Sequence, residues 1–139
     1  MDERDRRVIE LCQAAVERLA EALPDAEIGG LLRSGEALRH VAHAGKLRVI
    51  YEVRREQGGV VWRAADRGEL QLVEDVRSDP DYLASDERVH SEIAAPVRVG
   101  NEVAFVLDVE FPGRVFSQQE ARTVEEAAER LGRAVEEDV

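Results

Sequence analysis

The chain has 139 residues, of which 44% are hydrophobic and 35% are charged, and its formal net charge is -11. This length predicts one domain, residues 1–139, whose core needs neither a disulfide nor a metal, and the single cysteine, Cys12, excludes an internal disulfide and a cysteine-based metal cluster. The acidic charge disfavours nucleic acid and membrane surfaces as partners, because both bind cationic side chains.

Hydrophobic periodicity predicts a helix and then a hairpin at the start of the chain. Apolar residues recur at three- and four-residue steps over Asp2–Leu23, and Pro24 ends this amphipathic helix. The two extended runs Ala26–Arg33 and Ala37–Ala44 flank a short polar turn, which is typical of a β-hairpin.

The middle of the chain is less regular. Alternating side chains predict a strand over Arg48–Arg54, followed by a short helix over Val60–Arg67 and another strand over Leu70–Val76. Ser78 then has the character of a helix N-cap, with Pro80 in the first turn, so a further short helix is expected there.

A second hairpin and a long helix complete the chain. The strands Ser91–Val99 and Glu102–Phe111 are joined at Gly100-Asn101, which is a strong signal for a tight hairpin. Ser117-Gln-Gln-Glu120 is a capping box that opens the last helix. This order of elements predicts an antiparallel sheet with both terminal helices packed on one face.

Several short motifs in order carry a resemblance to a known family. They are Leu70–Val76 before Ser78–Tyr82, then Ser91–Val97, Gly100, Val106–Glu110 and Phe116-Ser117. In order and spacing they resemble a GAF domain over Gly58–Leu131, and the flanking helices extend the likeness to roughly the whole chain. The resemblance implies an α+β, PAS-like antiparallel sheet with the terminal helices on one face. It places a ligand pocket on the other face, under the irregular middle segment.

Alternation along the last two strands indicates which residues face this pocket. One row of each strand is apolar and is expected to face the helices, namely Ile93, Ala95, Val97 and Val99 with Val103, Phe105, Leu107 and Val109. The opposite rows point Glu92, Asp108 and Glu110 toward the pocket. Because buried unpaired charge is unfavourable, these carboxylates need either a ligand or a counterion such as Arg98, and both alternatives stay open.

The free methionine-R-sulfoxide reductases are an enzymatic branch of the family that the chain resembles. In that branch the catalytic cysteine lies seven residues before the Glu of the Ser-Glu-Ile motif, and its pocket carboxylates match Glu92, Asp108 and Glu110. The cysteine position here is Ser85. A serine cannot form the sulfenic acid that cysteine forms, and Cys12 lies on the apolar stripe of the first helix. We therefore assign no catalytic residue and expect a protein that is not an enzyme.

Other known ligands of the family fit less well. The signature of the cyclic-nucleotide-binding domains and the thioether cysteine of the bilin-binding domains are absent, and no zinc-site spacing occurs, so no metal site is predicted. His40 and His43 are an odd number of residues apart, so on one strand they are expected to point to opposite faces. Any cofactor is left unknown.

These observations predict a sensory or regulatory GAF domain that binds a small-molecule ligand of unknown identity. Eight residues are candidates for ligand binding: Glu92, Asp108, Glu110, Trp62, Tyr82, Tyr51, Ser85 and Ser91. Surplus apolar rows on the terminal helices predict a homodimer, and they comprise Leu11, Ala15, Leu19, Leu131 and Val135. A separate signalling protein is a further expected partner. The sequence contains no apolar leader, so a cytoplasmic location is expected. The alternatives are a ligand-free dimerisation scaffold and an enzyme related to the reductases.

Overall fold

A computed structural model of the chain describes residues 2–47 and 49–138. Met1, Arg48 and Val139 lie outside the described residues. The first residue of the predicted strand Arg48–Arg54 is therefore among those that are not described. Three α-helices and six strands form within the described residues. In chain order they are α1 (Glu3–Ala22), β1 (Glu27–Ser34), β2 (Ala37–Ala44), β3 (Glu52–Arg54), α2 (Val60–Arg67), β4 (Gln71–Val73), β5 (Val89–Val99), β6 (Glu102–Pro112) and α3 (Gln118–Glu137).

The six strands form one antiparallel sheet in the order β3-β2-β1-β6-β5-β4. The helices α1 and α3 pack on one face of this sheet, and α2 packs on the other with the middle segment. The predicted α+β arrangement, with both terminal helices on one face, is confirmed. No helix in the described parts of the chain is long and apolar enough to cross a bilayer.

The core under α1 and α3 is apolar and closely packed. Cys12 is fully buried in it, against Gly30 of β1, where a Cβ would collide with the Cys12 sulfur. Burial raises the pKa of the Cys12 thiol to about 12, so the thiol stays protonated and belongs to the core. Most of the helix residues that were predicted to form a dimer interface are buried within the single chain. Ala15, Leu19, Leu131 and Val135 are buried there, and Leu11 is partly buried.

The helix ends follow the sequence signals. The side chain of Asp2 caps α1 by accepting the Asp5 N–H at 2.8 Å. Ser117 and Glu120 form the predicted capping box, in which each side chain accepts the backbone N–H of the other residue, at 3.1 and 2.8 Å. Gly68 ends α2 in the left-handed conformation, with φ of 63°.

The middle segment is less regular than predicted. The strands β3 and β4 are three residues each, shorter than the expected Arg48–Arg54 and Leu70–Val76. The helix expected to begin at Ser78 is absent from the described residues, where Ser78 instead ends a single 3₁₀ turn capped by Asp75. The side chain of Asp79 accepts the Asp81 N–H at 2.9 Å, and this local hydrogen bond competes with helix formation.

Two β-bulges change which side chains face the pocket. In β2 the pairing partners of Gly30 and Leu31 are Ala42 and His40, so Val41 is an extra residue. His40 and His43 therefore lie on the same face of the sheet, and the prediction that they point to opposite faces was wrong. A similar bulge in β6 leaves Ala104 unpaired between its neighbours. Val103 consequently packs with α2 and not with the terminal helices as predicted.

Candidate functional site

The three carboxylates predicted to share the pocket face lie together. Glu92 of β5 and Glu110 of β6 are directly opposite each other. Asp108 lies two residues before Glu110 in β6, so it is on the same face of the sheet. Each offers one carboxylate oxygen to a group in which all three atoms lie within 4.8 Å of one another. Glu92 is 4% exposed, so this group is inside the protein.

The carboxylates line a cavity of about 50 Å³ between the sheet, α2 and the segment before β5. Apolar residues form much of its wall, among them Leu31, Val53, Val60, Val61 and Leu83. The other polar residues that line it are Glu27, His40, His43 and Ser85. A cavity of this volume has room for a few water molecules or one small charged group, and not for a nucleotide or a tetrapyrrole.

No arginine or lysine within residues 2–47 and 49–138 forms an ion pair with the three carboxylates. Arg98, considered from the sequence as a counterion, instead donates to the carbonyl oxygen of Gly68 at 3.1 Å. Arg63 is held by Asp79 at 2.7 Å and by Asp81 at 2.9 Å. Among the described residues the cluster therefore has no cationic partner, which favours the ligand alternative over Arg98 as the counterion.

The cluster keeps protons to higher pH than ordinary carboxyl groups do. Burial, and then the charge of Asp108, raise the pKa of Glu92 well above its usual value. Burial and Asp108 likewise raise the pKa of Glu110 to about 8. Burial also raises the pKa of Asp108, although its hydrogen bond with Glu92 and the charge of His40 oppose this effect. Burial thus favours the protonated form of all three carboxyl groups, and the shift of Glu92 is reinforced by the charge of Asp108.

Three buried polar atoms around the cluster have no hydrogen-bond partner among the described residues. They are Oδ1 of Asp108, Nδ1 of His40 and the hydroxyl of Tyr82. The hydroxyl of Ser85 is 3.4 Å from both carboxylate oxygens of Glu110, a long contact to which it donates. Burial and then the charges of Glu110, Glu92 and Asp108 raise the pKa of Tyr82, which places its ring close to the cluster.

Glu27 extends the acidic row onto β1. It pairs directly with Glu110 across the sheet, and its carboxylate accepts the backbone N–H groups of Lys46 and Leu47 at 2.9 and 2.7 Å. These bonds tie the segment after β2 to the edge of the cavity. The site as a whole can bind a positively charged group and accept several hydrogen bonds from it.

A family model described as GAF domain matches residues 5–136 of this chain. The chain belongs to the GAF domain family. Protein YtsP of Bacillus subtilis (strain 168) is 32% identical over 78 residues, which cover 55% of this chain and 48% of that protein. The match therefore spans about half the length of this relative.

Solved structures of several GAF-fold proteins are similar to this GAF domain. The type II free methionine-R-sulfoxide reductase from Thermoplasma acidophilum is 24% identical, with a TM-score of 0.84 over 97% of this chain and 96% of its own. The free methionine-R-sulfoxide reductase from Neisseria meningitidis, solved in complex with its substrate, is 23% identical, with a TM-score of 0.83 over 99% of this chain and 83% of its own. Part of a methyl-accepting chemotaxis protein is 19% identical, with a TM-score of 0.79 over 92% of this chain and 88% of its own. At these identities the likeness shows the fold.

Five of the eight candidate residues of the GAF domain come together. Besides the three carboxylates, Ser85 lines the cavity and Tyr82 lies beside it. The position that the reductase resemblance matched to a catalytic cysteine therefore does reach the pocket, as a serine. Cys12 lies across the sheet from this pocket, in the core under α1.

The other three candidates lie elsewhere. Trp62 is 2% exposed, and its indole N–H donates to the carbonyl of Val53 at 2.9 Å, so it is part of the core under α2. Tyr51 is 70% exposed at the surface. Ser91 is buried, and its hydroxyl donates to the carbonyl of Arg114 at 2.8 Å. Ser91 therefore secures the chain after β6, and neither it nor the two aromatic residues line the cavity.

Sequence reasoning missed Glu27, Gly29, His40 and His43, all of which line the cavity. The register between β1 and β6 places Glu27 opposite Glu110, and the sequence alone does not specify that register. The two histidines were separated by strict alternation along β2, which the bulge at Val41 breaks. The Gly29-Gly30 pair was the available signal, since glycine inside a strand often marks a bulge or a close approach.

Proposed function

We propose that this GAF domain is a sensory or regulatory module that binds a small cationic ligand at Glu92, Asp108 and Glu110. The observation that carries the proposal is the absence of any balancing cation for three buried carboxylates within the described chain, together with the unpartnered Oδ1 of Asp108. The similar fold of a free methionine-R-sulfoxide reductase solved in complex with its substrate supports the proposal that this fold holds a small-molecule ligand.

The chemistry of the site favours a ligand with a protonated amine or a guanidinium group. Each charge-assisted hydrogen bond contributes roughly 1.5–3 kcal/mol. Two or three such bonds would supply much of the ~8 kcal/mol that a micromolar affinity requires. Anionic ligands such as nucleotides and phosphorylated metabolites are disfavoured, because the cavity holds only carboxylates as charged groups near its centre.

Asp108→Asn tests this assignment. Thermal shifts would be recorded for the wild type against amino acids, amines, guanidino compounds and the chlorides of Mg²⁺, Mn²⁺ and Zn²⁺. We expect an amine or guanidino compound to raise the melting temperature of the wild type and not that of Asp108→Asn. Without ligand, the variant should be as stable as the wild type or more stable, since a crowded carboxylate is neutralised. The exposed Glu125→Gln variant should respond to the ligand as the wild type does.

Two outcomes would contradict the ligand proposal. A clear fall in the melting temperature of Asp108→Asn, with no compound shifting the wild type, would support the alternative of a ligand-free scaffold. In that case the carboxylate would have a structural partner that the substitution removes. A stabilising response to a divalent metal alone, lost in Asp108→Asn, would replace the amine by a metal ion as the ligand.

We also propose that the chain has no methionine sulfoxide reductase activity. Ser85 stands at the position of the nucleophile, and the buried thiol of Cys12 lies on the other side of the sheet. Ser85→Cys should remain inactive in a catalytic assay, because the only other cysteine, Cys12, is buried across the sheet and cannot recycle a sulfenic acid at residue 85. Thiol-dependent turnover of free methionine-R-sulfoxide by the wild type, above a buffer blank, would instead support the enzyme alternative.

The last part of the proposal is that the protein works in the cytoplasm as a homodimer formed by α1 and α3, and acts on a separate signalling protein. The groove between the two helices is the surface proposed for the dimer, and Ala22 and Ala127 line it together with Arg18, Glu126 and Arg130. Most of the apolar surface of both helices is buried within one chain, however, so the available contact is small. Light scattering at tens of micromolar should give the mass of a dimer, and a monomer mass would count against it.

A further inference from the structure

Glu92 and Asp108 line the same cavity, and each offers a carboxylate oxygen that lies within 4.8 Å of the other. Two ionised carboxylates are acceptors only, so they can share a hydrogen bond only when one of them is protonated. Glu110 lies in the same group, within 4.8 Å of both. Three carboxylates at this spacing in a buried site do not all ionise without a nearby positive charge.

Within residues 2–47 and 49–138, no arginine or lysine forms an ion pair with the cluster that could replace that proton. Two arginines on the elements that cover the site are already paired with other acids. Arg63 is held by Asp79, and Arg88 is held by Asp86 at 2.8 Å. The backbone N–H groups of Lys46 and Leu47 donate to Glu27 at 2.9 and 2.7 Å.

Several titratable or charged groups lie on the elements packed around the cluster, namely β1, β2, α2 and the segment between β4 and β5. They are Glu27, His40, His43, Arg63, Asp79, Tyr82, Asp86 and Arg88. Burial lowers the pKa of His40, so its ring is neutral near pH 7. Glu27 contacts His43 at 3.5 Å, and its negative charge raises the pKa of Glu110.

We propose that the empty site stores a proton between Glu92 and Asp108 and exchanges it for the positive charge of the ligand. This rests on the proposed function, and it adds that ligand binding is coupled to proton release. The incoming cation donates hydrogen bonds to the oxygens that shared the proton. The proton leaves to solvent buffer, and the net charge inside the site is unchanged.

The coupling has a measurable consequence for affinity. When binding releases one proton, the apparent affinity rises about tenfold per pH unit over the range in which the free site is protonated. Burial and the charge of Asp108 raise the pKa of Glu92 well above its usual value, so this range extends above the pH at which an ordinary carboxyl group ionises. By reciprocity, acidification expels the ligand, and the site responds to pH as well as to ligand concentration.

The experiment has two parts, and the first needs no ligand. Carbon-13 NMR of the side-chain carboxyl groups of the ligand-free protein, followed from pH 5 to 10, would show at least one carboxyl still protonated at pH 7. The variants Glu110→Gln and Glu92→Gln assign the carboxyl signals to residues. If Glu92→Gln does not fold, Asp108→Asn identifies the signals of the Glu92–Asp108 pair. Glu125→Gln, an exposed change, should leave the protonated signal in place.

The second part uses methylammonium chloride as the probe, with tetramethylammonium chloride as a control that lacks N–H donors. In weakly buffered solution with a pH indicator, methylammonium should release protons from the wild type and not from Asp108→Asn. A free protein whose carboxyl groups are all ionised at pH 7, or methylammonium binding without proton release, would overturn the exchange and leave the proposed function standing. A protonated pair together with no binding of any amine would overturn the proposed function, and the exchange with it.

Discussion

His40 reaches the pocket because Gly29 has no side chain. A Cβ at Gly29 would lie 2.6 Å from Nε2 of His40, which is closer than carbon and nitrogen atoms approach in folded proteins. The imidazole therefore lies directly over the backbone of β1, and its Nδ1 is buried there without a partner. The glycine at position 29 therefore determines that the His40 ring can line the site.

We expect Gly29→Ala to destabilise the protein by about 1–3 kcal/mol, because the new methyl group forces the ring of His40 out of its place. Urea unfolding would measure the change. In a His40→Ala background the same substitution should be nearly neutral, since the colliding ring is gone, and the double-mutant cycle isolates this contact. An equal loss in both backgrounds would show that the methyl group clashes with something other than His40.

Ser85 shows how far single residues could be predicted. Counting seven residues back from Glu92 placed it in the pocket, and the structure confirms that it lines the cavity. The same kind of reasoning failed for Trp62 and Tyr51, which were placed from their nearness in sequence to the covering segment. Aromatic residues satisfy core packing and surface positions equally well, so their type alone does not determine which way they face.

At the scale of elements, local signals predicted the helices well. Ser117 caps α3 as expected, and α2 ends at Gly68 directly after the predicted helix Val60–Arg67, while Asp2, predicted as the first helical residue, is the cap of α1. Their hydrogen bonds and backbone preferences act within a few residues, so they can be recognised without knowing the fold. The short strands β3 and β4 and the turns before β5 depend on contacts that are distant in sequence, and these were predicted less accurately.

Ser117→Ala should lower the free energy of unfolding by about 1 kcal/mol, because it removes the side-chain acceptor for the first turn of α3. Gln118→Ala is the matched control, since Gln118 is an exposed residue in the same turn, and it should change stability by less than about 0.5 kcal/mol. Chemical denaturation of both variants gives the comparison. Equal effects of the two substitutions would mean that the capping box contributes little here.

For the whole molecule, the order of elements was enough to predict a sheet with both terminal helices on one face. Alternation along β5 and β6 was enough to predict that Glu92, Asp108 and Glu110 share a face. The pairing of Glu27 with Glu110 and the approach of His40 did not follow, because both depend on strand register and on bulges. Register is set by the packing of entire strands, whereas alternation is a property of each strand alone. The pocket's composition is therefore a property of the assembled sheet.

The buried acids also predict how the stability of the whole protein depends on pH. In the native state the pKa of Glu110 is about 8, and burial also raises the pKa values of Glu92 and Asp108. In the unfolded chain such groups ionise near pH 4. Between about pH 4.5 and 8 the native state therefore binds more protons than the unfolded state, so stability falls as pH rises through this window.

Below that window the trend reverses. Hydrogen bonds from Arg114 and from Arg63 lower the pKa values of Glu120 and Asp79, so these groups stabilise the native state above their ordinary pKa values and lose that effect in acid. The ligand-free protein should consequently be most stable near pH 5, on the acid side of the range that is usual for globular proteins. Urea unfolding at a series of pH values would locate the maximum.

Glu110→Gln isolates the contribution of the buried acids. The amide does not ionise, so the variant should match the wild type near pH 5 and exceed it by a few kcal/mol near pH 9, at about 1.4 kcal/mol for each unit by which the pKa is raised. Glu125→Gln removes one acidic group from the surface and should keep the pH dependence of the wild type. If the stability of the wild type does not fall between pH 5 and 9, or if Glu110→Gln falls as steeply as Glu125→Gln, Glu110 is not a buried acid that resists ionisation.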